Sequence, residues 1–261
     1  MTTNINFEIG YPKAQSKFRE EYQEFIRCFP ILTEVIEKAF NRSAPENYSI
    51  VDGLVFDLSR ECVSRFSEIG LLCGNGLGDG AYIMLRSMFE CLVNARYLHL
   101  HQDKADDFIE YLHVYMRTVK NQITNIFGDD YLPTEYKDMV EKNFNRVKGK
   151  FTHITDRGGE RVQSRWSKPG IVDMAIDVGL KEFVVVAHYL SLEKAHPSML
   201  FIISDKDQRD ENVSRALMVS HKMLIELLIL QHQHFGIDEL KPLIARCLQD
   251  FEVVWKKYKI D

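Results

Sequence analysis

Apolar residues recur at helical spacing along almost the whole chain, and that pattern predicts helices rather than strands. In residues 14–41 the repeat runs through Phe18, Tyr22, Phe25, Ile26, Phe29, Leu32, Val35, Ile36 and Phe40. Pro30 falls inside it and is expected to kink or split the helix. Residues 48–73 repeat the period through Val51, Val55, Leu58, Cys62, Phe66, Ile69 and Leu72. The glycine cluster of residues 74–80 should end that helix and let the next approach closely. A strongly apolar helix over about 80–101 follows, then one over about 103–127, then one opened by Pro133-Thr134-Glu135. Residues 152–170 lose the periodicity and read as a long surface loop. Shorter helices are expected near 171–178 and 180–195, the second stopped at His196-Pro197. The run Ser198–Ile203 fits a short strand or a buried extended segment, and helices near 207–235 and 237–259 close the chain. The pattern predicts an all-α protein, a single multi-helix domain built on a central bundle with long terminal helices.

Composition narrows the field without naming a function. The 261 residues are 45% hydrophobic and 27% charged, which is ordinary for a globular protein. A net charge of −5 excludes a globally basic nucleic-acid binder but leaves room for a local basic patch. Cys28, Cys62, Cys73, Cys91 and Cys247 form no CxxC pair, and four of them sit in apolar helical patterns, so a reducing, cytoplasmic setting is expected. The first residues have neither a basic region nor an apolar stretch of signal-peptide type, and no apolar run reaches bilayer length. No membrane association is expected.

Several constellations compete with plainer readings. The cluster at 74–80 lacks the GK[ST] ending and the preceding strand of a phosphate loop, so it reads as helix punctuation. On the 80–101 helix, Arg86, Glu90, Asn94, Tyr97 and His101 share one face of an otherwise apolar surface. A buried Arg86–Glu90 pair there marks either a site or a device that fixes helix register. Two Glu-x-x-His pairs, Glu110…His113 and Glu193…His196, raise a di-metal bundle as a minor alternative. Their number is close to chance and Pro197 ends the second helix, so no metal or cofactor is expected. His232-Gln233-His234 reads as a polar helix end. Arg-x4–6-His spacing occurs at Arg96…His101, Arg146…His153 and Arg215…His221, each more readily a solvated helix-face pair than a catalytic one. The loop at 152–170 carries Arg157, Arg161, Arg165 and Lys168, a candidate electrostatic surface for RNA.

The segment Ala81–Glu90, AYIMLRSMFE, followed by an apolar helix to Tyr97-Leu98, resembles the "LLRSLFE" helix of the bacterial DUF5677 family. Tyr189-Leu190-Ser191 with His196 and Ser198 is similar to that family's later Tyr-x-x-x-Ser…His segment. The resemblance covers roughly 50–205, which divides the chain into an N-terminal helical segment (1–47), a DUF5677-like core (48–205) and a C-terminal helical pair (206–261). The Arg-x3-Glu helix and late histidine also look like HEPN-type helical proteins, many of them toxins or phage-defence effectors. By that resemblance Arg86, Glu90, Tyr189, Ser191 and His196 are the candidate catalytic residues of a metal-independent ribonuclease. His196 would move the proton, Arg86 would stabilise phosphate charge and Glu90 would orient Arg86. Tyr189, Leu190 and Ser191 stand where a HEPN arginine is expected, so Arg86 would act from the neighbouring helix. The resemblance implies a homodimer, RNA as partner and a protein partner encoded in the same system. The alternative is a non-catalytic helical module that uses the same polar pocket to bind a protein or small ligand.

Overall fold

A computed structural model describes residues 11–41, 48–154, 159–192 and 206–256. Among the described residues the protein is all-α apart from one small two-stranded sheet. The chain forms two compact units, residues 1–100 with 174–261, and residues 101–173.

In the first unit, α1 (Pro12–Glu21), α2 (Gln23–Arg27) and α3 (Phe29–Phe40) replace one long N-terminal helix. Pro30 breaks the chain as expected, taking an early position of α3 where a missing N–H is harmless. The second break, at Tyr22, has a tertiary cause. Its ring is buried and its hydroxyl meets the Ser214 hydroxyl at 2.6 Å. α4 (Ile50–Gly74) starts with a capping box in which Ser49 Oγ accepts from the Asp52 N–H and Asp52 Oδ2 accepts from the Ser49 N–H. Ser49→Ala is expected to destabilise the protein by about 1 kcal/mol, read as a lower urea midpoint at constant m.

α4 ends at Gly74. Gly76, at φ +73°, donates to the Cys73 carbonyl, and Leu77 donates to that of Leu72. This left-handed cap turns the chain into α5 (Gly78–Leu100), as the glycine cluster suggested. α5 is the centre of the unit. Leu85, Met88, Phe89, Leu92, Val93, Ala95 and Leu98 are fully buried against α4 and against α9 (Lys206–Phe235). α10 (Leu240–Trp255) packs on α9 and α3. Two polar pairs cross this core: Gln231 Nε2 donates to Ser59 Oγ at 2.8 Å, and Trp255 Nε1 donates to His221 Nδ1 at 3.1 Å.

The second unit is a helical hairpin, α6 (Ala105–Phe127) and α7 (Thr134–Phe151), joined through Gly128 at φ +91° and a short 3₁₀ turn. Val114, Phe144, Val147 and Phe151 form its core, with Tyr111 and Val162 packed against them. The Arg117 guanidinium lies 4.1 Å over the Phe144 ring and, with Lys120, pairs with Glu141. The stretch expected as a loop contains a hairpin instead. β1 (Thr152–Ile154) and β2 (Glu160–Val162) pair antiparallel with His153 opposite Arg161. Three-residue strands are too short to show alternation in a sequence, which is why the pattern missed them.

α8 (Ile171–Asp177) follows, as expected, but residues 180–192 depart from a plain α-helix. A 3₁₀ turn at Lys181–Phe183 runs into a π-helix at Val184–Leu190. The proposed strand at 198–203 and the divisions at 47/48 and 205/206 fall on or beside residues outside those described. Among the described residues no helix is long and apolar enough to cross a membrane. All five cysteines are free thiols.

Candidate functional site

The polar face of α5 meets the π-helix within the first unit. Arg86 Nε donates to Glu90 Oε1 at 3.0 Å, and Asn94 Nδ2 donates to the Glu90 carbonyl at 2.8 Å. The expectation of a buried pair is corrected here. The Arg86 and Glu90 side chains are 30% and 42% exposed, because this face of α5 lies at the edge of the bundle and not in its centre. Ile83, on the same face, is 40% exposed. An ion pair this accessible contributes little to stability and leaves the guanidinium open to a competing anion.

His188, on the π-helix, completes the arrangement, and sequence reasoning missed it. Burial pushes its imidazole below the ordinary value, the Arg86 charge pushes it further down, and Glu90 partly opposes them. Its Nδ1 is buried and has no hydrogen-bond partner among the described residues, while its ring stands 6.3 Å from Phe89 and 5.1 Å from Tyr189. The result is an imidazole biased toward its neutral form within electrostatic reach of an accessible guanidinium. Within Val-Val-Val-Ala-His-Tyr-Leu a lone histidine reads as part of an apolar face, and nothing local links it to Arg86 about a hundred residues earlier.

The other candidates take distinct places. Tyr189 is half exposed. Ser191 is fully buried, and its hydroxyl donates to the Val186 carbonyl at 3.0 Å, five residues back. That bond supports the wide π turn and so positions His188 indirectly. His196 lies outside the described residues.

The basic candidates belong to the second unit. Arg161, Arg165 and Lys168 line one cavity of about 370 Å³ together with His153, Gln163, Ser164 and Ser167. Arg157 lies outside the described residues. The wall is built by the hairpin and the turn after it. Gln163 N donates to the Phe151 carbonyl, Trp166 packs edge-on against Phe108 at 5.0 Å, and Ser167 Oγ donates to the Pro169 carbonyl. Arg165 lies across Gly170, where a Cβ would come within 2.8 Å of its guanidinium. Among the described residues the lining carries three cationic side chains, Arg161, Arg165 and Lys168, and no carboxylate.

The three Arg-x4–6-His spacings form other bonds. Arg96 pairs with Glu226, Arg146 Nη2 meets His113 Nε2 at 3.0 Å, and Arg215 pairs with Glu211. Of the proposed metal pairs, Glu110 is bound by Lys150, and Glu193…His196 lies outside the described residues. Among the described residues no three His, Cys, Asp or Glu side chains converge to hold a metal ion.

A protein-family model, DUF5677, described as a family of unknown function, matches residues 52–212. No curated protein and no solved structure is significantly similar to the chain.

Proposed function

We propose, from the premise that this chain belongs to the DUF5677 family and that the family's description assigns no activity, that it is an effector acting on RNA. One observation carries the reading: the π-helix packs on α5, where burial and the charge of the accessible Arg86 push the His188 imidazole below its ordinary value. A neutral imidazole is the form able to take a proton from a ribose hydroxyl at pH 7. The Arg86 guanidinium would leave Glu90 for the phosphate and stabilise the charge that develops on it. His196 is retained as a second proton-transfer group, Tyr189 as a flanking contact and Ser191 as a positioning residue. In the second unit the cavity of Arg161, Arg165 and Lys168 carries cationic side chains suited to phosphate, and its RNA affinity would fall with added salt.

The test is induced expression in a bacterial host, with RNA integrity read on a gel. Wild type is expected to arrest growth and fragment RNA. Arg86→Ala, His188→Ala and His196→Ala, at equal soluble level, should each lower cleavage by about a hundredfold. Intact RNA with the wild type, and no salt-sensitive RNA binding by the purified protein, would overturn the reading. A binding module is the second reading, favoured by the exposed apolar side chains Ile83, Val185 and Tyr189 on α5 and the π-helix. A second copy of the chain, or a protein encoded beside it, would then be the partner to seek by pull-down.

A further inference from the structure

A second cluster of titratable groups sits in the first unit, where α4 begins and α5 and α9 end. The Asp52 carboxylate is fixed on one side by the capping box, its Oδ2 accepting from the Ser49 N–H at 2.8 Å. Its other oxygen, Oδ1, faces His234 Nε2 at 2.9 Å. On the far side of that imidazole, His234 Nδ1 meets His99 Nδ1 at 2.8 Å, the rings inclined by 75°. The His234 side chain is 4% exposed. Residues 232–234 lie in the last turn of α9, and His234 is packed inward there.

The proton positions follow from the donors available. A carboxylate only accepts, so His234 carries its proton on Nε2. The Nδ1···Nδ1 contact holds one proton. With His234 neutral that proton belongs to His99, whose Nε2 is then bare. One added proton is accommodated by reversing this bond, so that a His234 imidazolium donates to both neighbours. A second added proton sets N–H against N–H at 2.8 Å, and the contact has to open. The arrangement is not a metal site, since Asp52 and His99 occupy opposite nitrogens of one ring and cannot converge on one ion.

We infer that Asp52, His234 and His99 form a proton-operated clasp that ties the end of α9 to the start of α4 and the end of α5, closed at neutral pH and released in mild acid. The charged groups around it separate the two protons: the Asp52 carboxylate favours the first in the closed clasp, and Arg96 opposes the second. Asp52 faces it from α4, and Arg96 stands beside His99 on α5, paired with Glu226 of α9, which Lys222 also approaches. Burial lowers the His99 pKa, and the charges of His234 and Arg96 lower it further. A histidine lowered in the closed state takes up its proton on opening. Because the closed clasp accommodates the first proton, only the second is taken up on opening, so the clasp weakens as the pH falls below about 6.5, the opening constant rising up to about tenfold per pH unit.

Amide-exchange protection, corrected for intrinsic rates and followed on the full chain at pH 7.5, 6.5 and 5.5, tests the clasp. Protection at residues 228–235 is expected to fall about tenfold more than at 215–225, which report opening of the whole unit. His99→Gln keeps an amide that can donate to His234 but does not titrate, and should abolish that excess. Long-range ¹⁵N–¹H spectra of the wild type need no variant, and at pH 7.5 should show His99 protonated on Nδ1. Equal loss along α9, an excess that survives in His99→Gln, or a neutral His234 beside a His99 protonated only on Nε2 would each overturn the inference.

Discussion

Phe89→Ala is expected to lower the unfolding free energy by about 3–5 kcal/mol, the cost of emptying an aromatic-sized space in a packed core. Phe89 is fully buried on α5, the helix packed against α4 and α9, so the surroundings cannot collapse into the space without moving a main element. Domains of this kind are stable by about 5–15 kcal/mol, so the variant would lose a large share of its margin. Urea denaturation should show a lower midpoint at unchanged slope. Phe89→Leu, which keeps most of the volume, should lose less than about 1.5 kcal/mol. Equal losses in the two variants would show that the site is looser than its burial indicates. The same ring borders His188, so the alanine variant should also disturb the candidate site without touching its polar groups.

The second large effect is a dependence of stability on pH set by His221. This imidazole is buried among Phe25, Phe251 and Trp255, and burial pushes its pKa down to about 4. An unfolded chain would titrate it near 6.5. Because the folded value is the lower one, the contribution is fully present above about pH 6.5 and is lost as the pH falls toward 4. That separation corresponds to about 3 kcal/mol. His221→Phe suits the aromatic surroundings and removes the titration. It also removes the acceptor of the Trp255 indole N–H, at a cost of about 1–2 kcal/mol at pH 7. The variant is therefore expected to be less stable than wild type at pH 7.5 and at least as stable near pH 5. Parallel stability curves from urea denaturation across this range would count against the assignment.

The helices were legible because a single period runs through each of them. In α4, Val51, Val55, Cys62, Phe66 and Ile69 follow from spacing alone, and all five are buried. Pro133 and the residues around Gly128 mark the turn between α6 and α7 for the same local reasons. Features set by distant partners were not legible. Nothing near Tyr22 announces a helix break that depends on packing and on Ser214. The i,i+4 spacing of Arg86 and Glu90 implies their ion pair, but its exposure depends on how α5 sits in the bundle. The π turn looks like any β-branched helical run. The contact between His99 and His234 joins residues 135 apart, beyond the reach of any local pattern.

The π turn also has a bearing on how this chain tolerates change in length. A π-helix holds more residues per turn than an α-helix, so Val184–Leu190 behaves like an α-helix that has absorbed one surplus residue. Removing a residue just before His188 would let the segment relax to α geometry and gain regular hydrogen bonds. The helix beyond the turn would keep its phase, and only the residues inside the turn would change direction. His188, inside the turn, would be displaced relative to Arg86, whereas Ser191 would stand four residues after Val186, within ordinary helical reach of its carbonyl. The irregular turn acts as a store for one residue, so a one-residue deletion at 184–187 should leave a folded protein in which His188 no longer occupies its place opposite Arg86.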